Sequence, residues 1–210
     1  ERAFPERAGA WRRRVAGESY RHLGREAVAM LRMAELDRDA VVRRTRVRGL
    51  EAIRRAVEEG RGAIVVTGHL GNWEIAGASV TARGVPLAAV ALRQGNPLFD
   101  GEVVRTRERL GLRVVYKKDA PRRVLRILRD GGAVALVGDQ NPIRGGISVD
   151  FFGHEANTAR GPAVFALRSG APVFLGLALG AAGAGPRYEV WAEEVPVERT
   201  GDLDADVRRL

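Results

Sequence analysis

At 210 residues, 45% hydrophobic and with a formal net charge of +9, the chain suits one domain with ample core material and favours anionic partners: nucleic acid, anionic lipid head groups or an acidic carrier protein. The absence of cysteine excludes disulfides, thiolate metal sites and a cysteine nucleophile, and three histidines (His22, His69, His154) without an H-E-x-x-H cluster argue against a multi-histidine metal site. No run approaches the roughly 18 apolar residues of a transmembrane helix, and no RRM-like aromatic pattern or zinc-finger spacing supports nucleic acid.

Residues Glu6–Leu36 read as a helix. Trp11, Val15, Leu23, Ala27, Met30, Leu31 and Ala34 keep three- and four-residue spacings and draw one apolar stripe, surrounded by Arg12, Arg13, Arg14, Arg21 and Arg25. The stripe predicts a core-facing helix with a solvated basic face; the alternative is a segment lying at a lipid surface. A second helix is expected over Leu50–Glu59, stopped by Gly60-Arg61-Gly62. Strands Ala63–Thr67, Leu87–Ala91, Arg113–Tyr116 and Ala133–Val137 then alternate with helices Trp73–Arg83, Leu98–Leu110 and Pro121–Arg129. That rhythm predicts right-handed βαβ units: an α/β fold with a mainly parallel central sheet flanked by helices. Residues 139–160 form a long polar loop containing a short strand, Ser148–Phe152, and long loops in compact domains tend to be functional. Helix Gly161–Ser169 follows, then strands Pro172–Gly180 and Arg187–Val195 joined by a Gly/Ala-rich turn. Asp202-Leu203-Asp204 looks like the start of a helix that the chain does not complete. With no repeat or linker visible, residues 1–210 are expected to form a single domain.

The stretch richest in chemistry is Thr67-Gly68-His69-Leu70-Gly71-Asn72-Trp73-Glu74, at a strand-to-helix junction. On a continuous helix, about 100° per residue would leave His69 and Glu74 roughly 140° apart. They meet only if the Gly71-Asn72 turn bends the chain. A histidine oriented by a carboxylate is a general base; the plainer alternative is a capped helix start with a structural histidine. The serines (Ser19, Ser79, Ser148, Ser169) lack a G-x-S-x-G elbow, so a base acting directly on a substrate hydroxyl fits better than a covalent intermediate. Neither a P-loop nor a G-x-G-x-x-G after a strand is present.

Gly68-His69-Leu70-Gly71-Asn72-Trp73-Glu74 resembles the H-x-x-x-x-[DE] motif of glycerolipid acyltransferases, and its Glu form with Asn-Trp before it is similar to the lipid A biosynthesis lauroyl/myristoyl acyltransferases. Ala3-Phe4-Pro5-Glu6 resembles an early segment of that family. Arg93, Asn96-Pro97-Leu98, Asp100 and Arg107 resemble a second block, and Asp139-Gln140, Phe151-Phe152-Gly153, Thr158 and Ala171-Pro172-Val173 a third. The resemblance implies that His69 takes the proton of an acceptor hydroxyl and that Glu74 holds the imidazole. Arg93 and Arg107 would face acceptor phosphates. Asp139 sits at the carboxyl end of a strand, where open α/β sheets place ligands, and Asn72, Gln140, Asn157 and Arg160 are further candidates; His154 reads as a loop histidine.

The implied donor is acyl carrier protein, or coenzyme A. The implied acceptor is a phosphorylated glycolipid: a lipid A precursor first, a phosphatidylinositol mannoside or lysophospholipid second. Members with mannoside acceptors tend to carry Asp at the position of Glu74. No cofactor, metal or nucleic-acid partner is expected, and the membrane surface is, at the cytoplasmic face of the bacterial inner membrane. Family members usually carry an N-terminal membrane helix and a C-terminal Trp/His/Arg-rich segment, neither of which is visible in this sequence, so the expectation is a chain lacking both. The alternative of another class is a non-catalytic module that binds anionic lipid or nucleic acid, with His69 and Glu74 structural.

Overall fold

The computed structural model describes residues 2–142, 145–182 and 185–209. Its elements in chain order are α1 (Gly9–Leu31), a 3₁₀ turn (Arg32–Glu35), α2 (Arg38–Arg44), β1 (Thr45–Arg48), α3 (Leu50–Glu58), β2 (Ala63–Thr67), α4 (Trp73–Ala82), β3 (Leu87–Ala91), α5 (Pro97–Arg109), β4 (Leu112–Tyr116), α6 (Ala120–Arg129), β5 (Ala133–Val137), β6 (Gly146–Phe151), β7 (His154–Ala159), α7 (Gly161–Ser169), β8 (Val173–Gly180), β9 (Tyr188–Val195) and α8 (Leu203–Arg209). Seven strands make the central sheet in the order β1-β9-β8-β2-β5-β3-β4. Every pairing is parallel except β8–β9. The expected α/β architecture is the one observed.

Strand residues of alternate parity feed opposite faces of the sheet. Val65, Leu87 and Phe174 pack with Ile53 of α3 and Ile75 of α4. Ile64, Val134 and Val115 pack with Val124 of α6 and Ala166 of α7. Helix α6 shows how sequence sets the second layer: Ala120, Val124, Ile127 and Leu128 recur on one stripe and are buried, while Arg122, Arg123, Arg126 and Arg129 are exposed.

The structure corrects several expectations. The first helix ends at Leu31, not Leu36, and its stripe does not face the core. Glu26 is its one buried residue, and Val15, Leu23 and Leu31 are exposed. Helix α2 and strand β1 went unpredicted. Residues 146–159 form a complete antiparallel hairpin, β6–β7, rather than one strand in a loop; Ile143 and Arg144 of the expected loop lie outside the described residues. Asp202-Leu203-Asp204 does lead into a helix, α8, which runs to Arg209, with Asp202 Oδ1 accepting from the backbone N–H groups of Asp204 and Ala205.

Candidate active site at the carboxyl ends of β2 and β5

Strands β2 and β5 are parallel neighbours in the middle of the sheet, in a register that pairs Thr67 with Val137. The residues that follow each strand therefore emerge side by side, His69 from β2 and Asp139 from β5. Asp139 grips His69 twice. Its Oδ2 accepts from the His69 backbone N–H at 2.7 Å, and its Oδ1 lies 2.7 Å from the ring Nδ1. Such closeness suits glycine at position 68, where a Cβ would stand 3.0 Å from Asp139 Oδ2 and press the carboxylate aside.

A carboxylate can only accept, so Nδ1 carries the ring proton and Nε2 is left with its lone pair. Gln140 Nε2 stands 3.4 Å from that atom. The Trp73 ring meets the imidazole edge-on, with centroids 4.5 Å apart. Burial resists ionisation of Asp139, but the hydrogen bonds from the His69 ring and backbone outweigh it and hold the carboxyl below its ordinary range.

Glu74 does not hold the imidazole. Asn72 caps α4 by accepting from the Ile75 N–H at 2.9 Å, and Glu74, in the first turn, reaches across to the last turn of α5. There Arg107 donates from Nε to Oε2 at 2.9 Å and from Nη2 to Oε1 at 2.5 Å, a bidentate pair with both side chains only 18% exposed. Burial works against the Arg107 charge, yet the Glu74 contact prevails and raises its pKa. Glu74→Gln is expected to lower stability by about 1.5–3 kcal/mol, the usual worth of a hydrogen bond to a charged group, and to reduce activity by loosening α4 against α5. Urea unfolding checks the first effect; a midpoint equal to that of the unaltered protein would show that the pair holds nothing.

A cavity of about 910 Å³ opens beside the dyad, large for a ligand site, where roughly 300–1,000 Å³ is usual. Its space comes from small side chains. Ala89 and Ala135 lie abreast of Val65 across three strands, and Ala76 and Gly77 of α4 line the cavity with them. His69, Glu74, Arg107, Gln140 and Arg160 stand on its lining, among mostly apolar neighbours. Arg160 is also paired with Asp204 at 2.8 Å. The row of small residues is the feature that sequence reasoning missed; its signal, Ala-Ala-Val-Ala in β3 and Ala-Val-Ala in β5, reads only as strand composition until the strands are set side by side.

Four expected ligand contacts, Asn72, Asp139, Arg93 and Asn157, sit elsewhere. Asn72 is fully buried and off the cavity. Asp139 is off the cavity lining, its carboxylate engaged by the His69 backbone and ring. Arg93 is off the cavity too, its guanidinium over the Tyr116 ring at 4.5 Å from the centroid; the Tyr116 hydroxyl in turn donates to Asp100 at 2.6 Å. Asn157 ties the hairpin to the preceding loop, donating to Asn141 Oδ1 at 2.8 Å and to the Pro142 carbonyl at 2.9 Å. His154 Nε2 approaches the Arg2 carbonyl at 3.0 Å, far from any second base. Among the described residues no group of three His, Asp or Glu side chains is placed to hold a metal ion.

A family model described as bacterial lipid A biosynthesis acyltransferase matches residues 1–190. A phosphatidylinositol mannoside acyltransferase of Mycolicibacterium smegmatis is 29% identical over 165 residues, 77% of this chain and 53% of that protein. A protein of the same description from Mycobacterium tuberculosis is 31% identical over 127 residues, 59% of this chain and 40% of that protein. The chain thus spans about half the length, or less, of these relatives.

Proposed function

We propose, from the fact that the chain belongs to the bacterial lipid A biosynthesis acyltransferase family, that it is an O-acyltransferase moving a fatty acyl chain from a thioester donor to a hydroxyl of a phosphorylated glycolipid. The observation that carries this reading is the His69–Asp139 pair at a largely apolar cavity: a base beside room for an acyl chain. His69 Nε2 removes the hydroxyl proton as the acceptor oxygen attacks the thioester carbonyl carbon. The new C–O bond forms, the C–S bond breaks, and the imidazolium returns the proton to the departing thiolate. Asp139 keeps the ring in the required tautomer and stabilises its cationic form. No covalent acyl-enzyme is needed.

The donor is acyl carrier protein, or coenzyme A; both are anionic and suit a chain of charge +9. For the acceptor, the family description and Glu at position 74 favour a lipid A precursor. A second reading, a phosphatidylinositol mannoside, draws on the names of the mycobacterial relatives. Incubation with radiolabelled acyl thioesters and each glycolipid, followed by mass spectrometry of the products, tests both. Absence of transfer together with steeply salt-dependent binding would instead favour a non-catalytic module for anionic ligands.

Among the described residues no helix is long and apolar enough to cross a membrane, yet both substrates carry acyl chains. The surface that meets the bilayer, at the cytoplasmic face of the inner membrane, is inferred to be the tip of the β6–β7 hairpin with the start of α1. Phe151 and Phe152 are 64% and 54% exposed, and Phe152 takes a φ of +55° that side chains rarely adopt. Phe4 packs on both Phe152 and Trp11, and Arg7 lies over the Trp11 ring. At about 0.8 kcal/mol per buried CH₂, such rings give weak attachment that the arginines make salt-sensitive. Replacing Phe151 and Phe152 with Ser is expected to reduce binding to anionic vesicles and to leave the melting temperature nearly unchanged. Undiminished vesicle binding by the double variant would remove this surface from consideration.

A further inference from the structure

Helix α1 buries a carboxyl group against the domain. Its one buried residue, Glu26, is 8% exposed, while Tyr20, Leu23, Val28 and Leu31 of the same helix stand in solvent. Glu26 Oε2 accepts from Asn72 Nδ2 at 3.0 Å and from the Tyr188 hydroxyl of β9 at 2.9 Å. It has no cationic partner among the described ion pairs. A carboxylate drawn from water is costly unless donors replace the water it loses. An apolar residue would seat the helix without that cost, so the acceptor itself has a use.

The use lies in Asn72, whose polar groups are all engaged. Its N–H donates to the Ala178 carbonyl at 2.9 Å, and its C=O accepts from the Ala76 N–H at 3.1 Å. Its Oδ1 caps α4 at the Ile75 N–H, and its Nδ2 faces Glu26 and Tyr188. Gly71, one residue earlier, has a φ of +67° and runs so close to β8 that a Cβ there would lie 1.9 Å from the Ala178 oxygen. A carboxamide is nearly symmetric in shape, and only its partners decide which end faces which way. Glu26, which accepts only, draws Nδ2 inward and thereby leaves Oδ1 for the cap. His69 lies three residues before Asn72, and Trp73, whose ring edges the imidazole, lies one after it.

We propose that Glu26 is a positioning residue for His69: it orients the Asn72 amide and, through it, the turn that carries the base, so that alignment of the dyad depends on α1 being seated. The inference deepens the acyl-transfer reading and rests on it for its kinetic arm alone. The chain has three histidines, so the ring signals of His69 in an imidazole ¹⁵N spectrum are assigned by comparison with His69→Ala, without any substrate. Glu26→Gln keeps an acceptor oxygen and is expected to leave those signals and kcat close to those of the unaltered protein. Glu26→Leu keeps the burial but removes the acceptor. It is expected to shift the His69 ring signals and lower kcat by about 10- to 100-fold, the range that misplacing a reacting group can cost, with a smaller change in KM. Asn72→Asp sets two carboxylates face to face and is expected to disturb the same signals. Combining it with Glu26→Gln reverses donor and acceptor and is expected to restore them. Unchanged His69 signals in a folded Glu26→Leu protein would overturn the proposal. Where Glu26→Leu does not fold, the paired variants decide, and failure of Glu26→Gln to rescue Asn72→Asp would overturn it equally. If the unaltered protein transfers no acyl group, the acyl-transfer reading fails while the spectral arm still stands or falls by itself.

Discussion

His69→Ala is expected to lower acyl transfer by about 10²- to 10⁴-fold, the usual worth of a general base, while the melting temperature changes little. The ring stands exposed at the carboxyl end of the sheet, touching Trp73, Asp139 and Gln140 beside the cavity, so its removal leaves no hole in either core cluster. With the imidazole gone, no other described histidine can substitute: His154 is occupied near Arg2, and His22 lies on α1. Steady-state turnover beside a thermal melt checks both parts. A folded His69→Ala protein with ordinary turnover would sink the mechanism.

Asp139→Asn is expected to cost nearly as much activity, and it carries a signature in pH. The amide can turn its NH₂ toward Nδ1, which stabilises the wrong tautomer, and it has no charge with which to steady the imidazolium. In the native protein burial resists the Asp139 charge, but the two His69 contacts more than offset it and depress the pKa. A carboxyl depressed on folding stabilises the native state fully above its unfolded value, about 3.9, and that contribution is lost as pH falls through the lower native value. The stability difference between the native protein and Asp139→Asn should therefore be level from neutrality down to about pH 5 and shrink below about pH 4. Denaturant midpoints across that range test it; a difference independent of pH would mean that the Asp139 charge does not matter to the fold.

Much of this architecture was legible because apolar runs of strand length alternate with helical periodicity from Ala63 to Val137, and each kind of run has one efficient way to bury itself. Elements that lack such runs went unseen. The segment that becomes α2 and β1, Arg38 to Arg48, breaks its apolar residues with arginine throughout, and β7, His-Glu-Ala-Asn-Thr-Ala, has no apolar alternation. The stripe on α1 was visible, but periodicity tells only that a face exists, and what covers it is a tertiary fact. The site divides the same way. His69 and the cap at Asn72 are local, and a short motif displays them. The carboxylate that holds the ring is 70 residues away, brought home by strand order alone, so the nearer Glu74 seemed its natural partner. That glutamate belongs to Arg107, a pairing across two helices that no spacing rule gives.

The sheet order also has a bearing on how the protein is made. Strand β2 lies between β5 and β8, both synthesised long after it, and the β2–α4 turn is closed by Ala178 and by Tyr188, 116 residues beyond Asn72. Until β8 and β9 have left the ribosome, β2 has only β5 beside it, and the turn that carries His69 lacks the Ala178 and Tyr188 partners that fix it. Contacts of such separation form slowly, since loop closure must precede the interactions that reward it. A nascent or half-folded chain therefore presents apolar strands but no organised base. The turn that carries His69 takes its described shape only once β8 and β9 are in place, and until then the exposed apolar strands are open to aggregation.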